Sequence, residues 1–426
     1  MKSGLSFLVA ARRCEIEELE QLARTSDLVG VIGRLVHALQ RERGLSNVFI
    51  ASRGQRFGEQ RDQQIAASQQ IEHEVRAGFD ELATDTRRAG SSARLFSRIA
   101  WVLPGLDALP ELRRRIGDLE LPPAQATAAV VKLIAGLLAV VFEAADGATD
   151  PEISRLLIAM FNFMQGKEFA GQERAFGAAA FSLGRTDDAS RQQWLHLVES
   201  QERCFQVFTD FSSPPLLELW RQSQPDATVA ELERLRRMGA LTAAQSLDPQ
   251  LSQLWFDCCS RRIDAMKTVE ECLAAELRER CGQKTAQARS ELLKYQQILD
   301  TLVQQADGGV SAPDDVFFDD ASTGDAPPAP DASYGRHLER SVLEMVQAQS
   351  QRLQAMSEEL DTVRASLNER KLVERAKGLL MAHRRMSEDE AHKMLRQTAM
   401  NQNRRLIDVA ESVLAMADYL PVDGPR

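Results

Sequence analysis

The chain has 426 residues, with 44% apolar and 27% charged side chains, proportions that exclude general disorder and predict a soluble chain of two or three domains. Its 52 Lys plus Arg against 62 Asp plus Glu give a net charge of -10, which excludes a surface basic throughout but leaves room for one basic domain. Six cysteines (Cys14, Cys204, Cys258, Cys259, Cys272 and Cys281) fall at none of the short paired spacings of a zinc or redox motif, so they read as thiols of a reducing cytosol, with no metal and no cofactor expected.

At the N-terminus, acids follow soon after Arg12 and Arg13 and no apolar signal core is present, which points to a cytoplasmic protein. From Glu15 onward, apolar residues recur with helical spacing, while strand-like alternation and Asn-Gly hairpin signals are almost absent; the fold class expected is all-α. Gly, Pro, Ser and Asp punctuation at 51–58, 90–92, 103–110, 121–123, 146–151, 184–190, 212–215 and 222–227 divides 15–302 into about eight or nine helices. The most apolar stretch, Leu133 to Phe142, is half of the roughly 20 residues a membrane span needs and reads as a buried core helix.

Within the first of these helices, "LVHALQRERGLSNVFIASRG" puts His37, Gln40, Arg41, Gly44 and Asn47 within helical reach of one another, with Arg43 one step away. Downstream, "NFMQGKEFAGQERA" repeats the Glu-Arg-small pattern around Arg174. Gly44 and Gly171 lie inside predicted helices, where glycine costs about 1 kcal/mol relative to alanine, so close helix packing or room for a ligand is expected there. A guanidinium is planar, permanently charged and forked, and suits a small planar oxyanion. Arginines converging from different helices repel one another unless an anion bridges them, so binding would draw the helices together. His37 reads as a satisfied polar group, not a ligand, and Arg262 with Asp264 as a structural ion pair or a bundle contact.

The composition changes abruptly at 306–335, where Gly, Pro, Ala, Ser and Asp prevail and no helical period survives; this reads as a flexible acidic linker. After it, Val346, Leu353, Leu360 and Leu367 occupy one heptad position and Val342, Met356 and Val363 the other, with Gln349 and Arg370 interrupting the second. A coiled-coil helix over 336–366 that makes a homodimer is one reading, and a helix packing on its own domain is the other. Beyond it, 367–420 reads as three short helices with apolar positions at Leu372, Ala376, Leu379 and Leu380, then Met394, Leu395 and Met400, then Ile407, Val409, Ala410 and Val413; Ser387 marks the start of the second. Between Arg364 and Arg405 stand 11 Lys plus Arg against 5 Asp plus Glu, a local excess of cations that points to a polyanion.

The segments "ERAKGLLM", "MSEDEAHKMLRQTAM" and "NRRLIDVAESV" resemble the ANTAR domain along its length. That resemblance implies a three-helix domain that binds paired hairpins in leader transcripts, usually as a dimer, and prevents termination. It places Lys377, Arg396, Asn403, Arg404 and Arg405 on an RNA-binding face, with Asn403 alternatively a helix cap. "HALQRERGLS", "KEFAGQERA", "VAELERLRRM" and "LWFDCCSRRIDAMKTVE" resemble successive signatures of the nitrate- and nitrite-sensing NIT domain over about 28–274. Members are built as two four-helix bundles with the anion held between them, which implies Arg43 and Arg174 as ligands of nitrate or nitrite, and as the third Arg236, chosen from Arg234, Arg236 and Arg237.

The domains expected are thus a sensor at 1–305, the linker at 306–335, the coiled-coil helix at 336–366 and the ANTAR domain at 367–426, in the order of nitrate-responsive antiterminators. No nucleophile elbow, phosphate loop or zinc motif occurs, so a catalytic activity is not expected. The alternative is a DNA-binding transcription factor that senses another small anion.

Overall fold

The computed structural model of the chain describes residues 4–84, 93–241, 247–306, 333–384, 386, 388–402 and 404–417. All regular structure among them is helical, as expected. It divides into two compact units, Met1–Leu353 and Gln354–Arg426.

In the first unit the long helix α1 (Gly4–Ala51) packs against α2 (Gly58–Thr84), α5 (Pro123–Gly147) and α10 (Leu251–Ala306). Two shorter helices, α3 (Ala93–Asp107) and α4 (Leu109–Gly117), follow α2, and α3 covers α5. Helix α6 (Pro151–Leu183) lies against α5, α7 (Asp188–Phe211) and α10, and the short α8 (Pro214–Gln222) and α9 (Asp226–Arg236) close the same end of the chain against α10. Local sequence explains the boundaries. Asp150 caps α6 by accepting from the backbone N–H groups of Glu152 (3.0 Å) and Ile153 (3.1 Å), with Pro151 at the first helical position, and Gly184 ends it in the left-handed conformation at φ 67°. Helix α5 is long and apolar enough to cross a membrane, but most of that stretch is buried inside the bundle, between α1, α3 and α6.

One break was not expected from the sequence. After α9 the chain widens into a π turn, Arg237–Leu241, and a later turn has the Asp248 side chain accepting from the Gln250 N–H at 2.9 Å. The π turn accommodates Trp194: a Cβ on Gly239 would lie 2.3 Å from its ring. Conversely, the expected break at 103–110 is a single residue, Ala108, because α3 runs through Pro104 to Asp107. The expected break at 90–92 and almost all of the expected linker lie outside the described residues.

Helix α11 (Ser333–Arg384) runs without interruption through what the sequence divides into a coiled-coil helix and the first helix of the C-terminal domain. Its early part belongs to the first unit, where Arg12 of α1 donates to Gln349 Oε1 at 2.8 Å and Arg352 bridges Glu15 of α1 (3.0 Å) and Glu291 of α10 (3.2 Å). Gln349, which faults the heptad seam, is therefore a buried partner of α1, while Leu353 of the seam is 47% exposed. In the second unit, the end of α11, α12 (Glu388–Asn401) and α13 (Leu406–Ala417) share a core of Ala376, Leu380, Ala391, Leu395, Val409 and Ala410.

Packing is also tight at Gly177 of α6, where an added Cβ would lie 2.4 Å from the Trp255 indole, itself fixed by donating Nε1–H to the Arg174 carbonyl at 3.0 Å. Gly177→Ala is expected to cost about 1–3 kcal/mol through overpacking. Gly282→Ala, at an exposed site of α10 with nothing within 4 Å, is expected to add up to about 1 kcal/mol through helix propensity. Chemical denaturation of the two variants beside the parent checks both signs.

Candidate anion site and nucleic-acid face

The "QRERG" run of α1 distributes its side chains over two neighbouring helices. Glu42 turns toward α4 and receives a two-pronged ion pair from Arg113 (2.9 and 3.0 Å), which also reaches Glu72 of α2 at 3.3 Å. Gln40 and Arg43 turn toward α6: Arg43 donates through Nη1 and Nη2 to the two carboxylate oxygens of Glu168 at 2.5 and 3.2 Å, and Gln40 Nε2 donates to the same group at 2.9 Å. Farther along, Asn47 Oδ1 accepts from Thr127 of α5 at 2.8 Å.

The "KEFAGQERA" run of α6 answers residue by residue. Lys167, fully buried, is ion-paired with Glu270 of α10. Arg174 donates to the Ser260 hydroxyl at 2.9 Å and its guanidinium carbon lies 5.0 Å from the centre of the Phe256 ring. The two glycines make room reciprocally: a Cβ on Gly171 would stand 2.8 Å from Arg43 Nη2, and one on Gly44 would stand 3.2 Å from Arg174 Nη2. Each arginine thus lies over the glycine of the opposite helix. The reason for glycine at both places is space for a guanidinium.

Arg43, Lys167 and Arg174 are all buried in this seam, against the carboxylates of Glu168 and Glu270. Arg174 is hydrogen-bonded to a hydroxyl, and burial together with the charge of Arg43 pushes its pKa below the ordinary guanidinium value. His37 departs from expectation. Its Nδ1 is buried without a hydrogen-bond partner, and burial, reinforced by Lys167, Lys267, Arg41 and Arg174, drives the imidazole pKa down to about 2, so the ring stays neutral.

Arg236 lies in a different cluster. Its Nε and Nη2 both donate to Glu173 at 2.7 Å, its Nη1 to Glu233 at 2.6 Å, and Glu173 also accepts from Trp194 Nε1 (3.1 Å) and Gln201 (2.6 Å). Although burial opposes the charge, Glu173 and Glu233 hold the Arg236 pKa above its usual value. Arg234 is exposed and tied to Glu231. Arg262 is a bundle contact and not the partner of Asp264: it donates to Gln224 (3.0 Å) and Gln201 (2.9 Å) and lies over Phe205. Burial and the nearby Arg236 push its pKa down to about 10.

In the second unit, Arg396 of α12 and Arg404 and Arg405 before α13 are exposed. Arg404 reaches the Asp408 carbonyl (3.0 Å) and Ser412 (3.1 Å), and Arg405 pairs with Asp408 at 3.0 Å. Lys377 is not beside them on open surface; it is 7% exposed, between the core residues Ala376 and Leu380. Asn403 and Ser387 lie outside the described residues. The sequence reading missed Glu168, Lys167 and Glu270. Its available signal was a Lys-Glu pair set inside the apolar run from Phe161 to Ala170.

Comparison with known proteins agrees with this architecture. A family model described as nitrate and nitrite sensing (NIT) matches residues 34–278, and an ANTAR domain model matches 361–414. The nitrate regulatory protein of Klebsiella oxytoca is 32% identical over 417 residues, 97% of this chain and 95% of the relative. A solved structure, that of the NasR transcription antiterminator, superposes with a TM-score of 0.59 at 30% identity, covering 97% of this chain and 99% of that one. The chain belongs to the family of regulators that join a nitrate- and nitrite-sensing NIT domain to a C-terminal ANTAR domain.

Proposed function

We propose that the protein is a nitrate- or nitrite-responsive transcription antiterminator, a regulator and not an enzyme. The anion binds in the α1–α6 seam at Arg43 and Arg174, and the liganded protein presents its ANTAR domain to hairpins of a leader RNA. The observation that carries the sensor assignment is the reciprocal placement of two buried guanidiniums over two glycines, one of them hydrogen-bonded to a hydroxyl, with the Asp264 and Glu168 carboxylates acting on it only through space. A small planar anion supplies the missing negative charge and accepts from both forks, in a site too dry for water to compete well. Arg236 is held by Glu173 and Glu233, so it serves an anion only by exchanging those partners.

On the RNA side, Arg396, Arg404 and Arg405 offer exposed cations to the phosphate backbone, and the match to the ANTAR family supports RNA as the polyanion. Lys377, with its stem in the core, reaches RNA only through its ammonium end. The protein acts in the cytoplasm, where leader transcripts are made, and as a homodimer matched to paired hairpins.

Titration calorimetry of the full chain should give saturable binding of nitrate or nitrite, with no comparable signal from chloride or sulfate. Arg174→Ala should abolish it with little loss of stability, whereas Arg43→Ala should abolish it and also destabilise by about 3–5 kcal/mol, because the buried Glu168 loses its counter-charge and keeps only the neutral donors Gln40 and Gln172, with no anion-paired Arg43 beside it. Unchanged binding by Arg174→Ala removes the site assignment. For the RNA, Arg396→Glu should lose binding to a two-hairpin leader transcript while keeping anion binding, and Arg396→Ala should flatten the log K against log salt slope by about 1. Tighter binding to duplex DNA of the same sequence rejects RNA as the target, and sedimentation showing only monomer rejects the dimer.

A further inference from the structure

The Glu168 carboxylate sits where a ligand of this seam would be expected to bind. It is 2% exposed and accepts four hydrogen bonds, from Arg43 Nη1 (2.5 Å), Arg43 Nη2 (3.2 Å), Gln40 Nε2 (2.9 Å) and Gln172 Nε2 (2.9 Å). A carboxylate is a planar, delocalised O–C–O fork with one negative charge, the same shape and charge that nitrite presents and that two of the three oxygens of nitrate present. Arg43 in turn has both terminal nitrogens committed to Glu168, while its neighbour across the glycines, Arg174, donates to a hydroxyl and lies on an aromatic face, with the Asp264 and Glu168 carboxylates acting on it only through space.

We propose that Glu168 is a built-in competitor of the anion: it occupies the Arg43 fork in the ligand-free protein, and nitrate or nitrite binds by taking Arg43 from it, so that Glu168 sets the concentration at which the sensor responds. This rests on the assignment of the anion to the α1–α6 seam. Two consequences follow from the geometry. First, the intrinsic affinity of the two arginines for a planar anion is higher than the measured one, because only molecules in which Glu168 has left the fork are competent, and the apparent Kd rises by the inverse of that fraction. Second, the displaced carboxylate must be accommodated elsewhere. Gln40 and Gln172 remain as donors to it, so Glu168 can stay hydrogen-bonded after Arg43 turns to the ligand, and the exchange does not strand a bare buried carboxylate. A protein relying on Arg43 and Arg174 alone, without an internal counter-ion, would hold two unpaired cations in its core and be unstable in the absence of anion.

The test is nitrate titration of the full-length protein carrying Glu168→Gln, which keeps the shape of the side chain and removes its charge, beside the parent and Arg174→Ala. With Glu168 engaged in nine molecules of ten or more, Glu168→Gln is expected to lower the Kd at least about tenfold. The melting temperature of Glu168→Gln should be below that of the parent in chloride and should rise more steeply with added nitrate, because the anion then replaces the lost counter-ion. Glu168→Asp, which keeps the charge but withdraws it by one methylene, provides a second variant where Glu168→Gln does not fold, and should bind nitrate more tightly than the parent by a smaller factor. Equal or weaker binding by both variants, with Arg174→Ala still abolishing binding, overturns the competitor and leaves the site standing. Parent binding that survives Arg174→Ala overturns both.

Discussion

Two helices that carry arginine at their interface must leave room for a guanidinium, and in this protein the room is made by removing a Cβ from the opposing helix. Arg43 of α1 lies over Gly171 of α6, and Arg174 of α6 lies over Gly44 of α1. Everything characteristic of the sensor depends on that exchange. It brings two like charges into a buried seam, where each charge costs several kcal/mol to desolvate and their repulsion is poorly screened. One is neutralised by Glu168. The other is met directly by a hydroxyl and an aromatic ring, and the through-space charge of Asp264 and Glu168 is outweighed by burial and by Arg43. The neutral His37 and the low-lying Arg174 are the signature of a region whose positive potential has not been fully offset by the protein's own residues.

Helix α6 links this seam to a second polar cluster through two consecutive residues. Arg174 turns to α1 and α10, and Glu173, one step before it, turns to Arg236 of α9 and to Trp194 and Gln201 of α7. Because successive residues on a helix are about 100° apart, a rotation or shift of α6 that changes the approach of Arg174 to Arg43 also changes the fit of Glu173 to Arg236. The indole of Trp255 adds a further constraint, since it packs on Gly177 of α6 and donates to the Arg174 carbonyl. Both clusters therefore report the position of one helix, and Arg236 is coupled to the Arg43–Arg174 seam through α6.

How much of this was legible in the sequence follows from what each feature depends on. The helices were legible because their apolar spacing, caps and Gly-Pro punctuation are local, as at Asp150, Pro151 and Gly184. The π turn after α9 was not, because it exists to make room for Trp194, a contact across 45 residues that leaves no local mark. Arg43, Arg174 and their glycines stand out in the sequence as repeated Glu-Arg-small runs, but partners are a matter of which side of a helix faces which neighbour. Glu168 was passed over although it lies in the same run as Arg174, and the sequence gives no sign that Glu173 is the partner of Arg236. Heptad spacing read Gln349 as a fault in a dimer seam. Its hydrogen bond to Arg12 shows a polar residue chosen for a neighbour on α1.

The route from the anion to the RNA-binding end is limited by energy before it is limited by geometry. A ligand moves an equilibrium only by the difference between its affinities for the two states, and a near-complete switch requires about 5.5 kcal/mol of such difference. A monoanion with three or four atoms makes few contacts, so nearly all of that difference has to come from charge in a dry place, where it is worth most. The seam at Arg43 and Arg174 is such a place. Helix α1 then carries the consequence a long way: Arg12, which holds Gln349 at the start of α11, lies on the same helix 31 residues before Arg43, about 46 Å along a continuous rod at 1.5 Å per residue. The opposite wall of that clasp, Glu291, is on α10, which also supplies Ser260 and Phe256 to Arg174. A change in how α1 and α10 pack about Arg43 and Arg174 is thus a change in the two helices that hold the early part of α11.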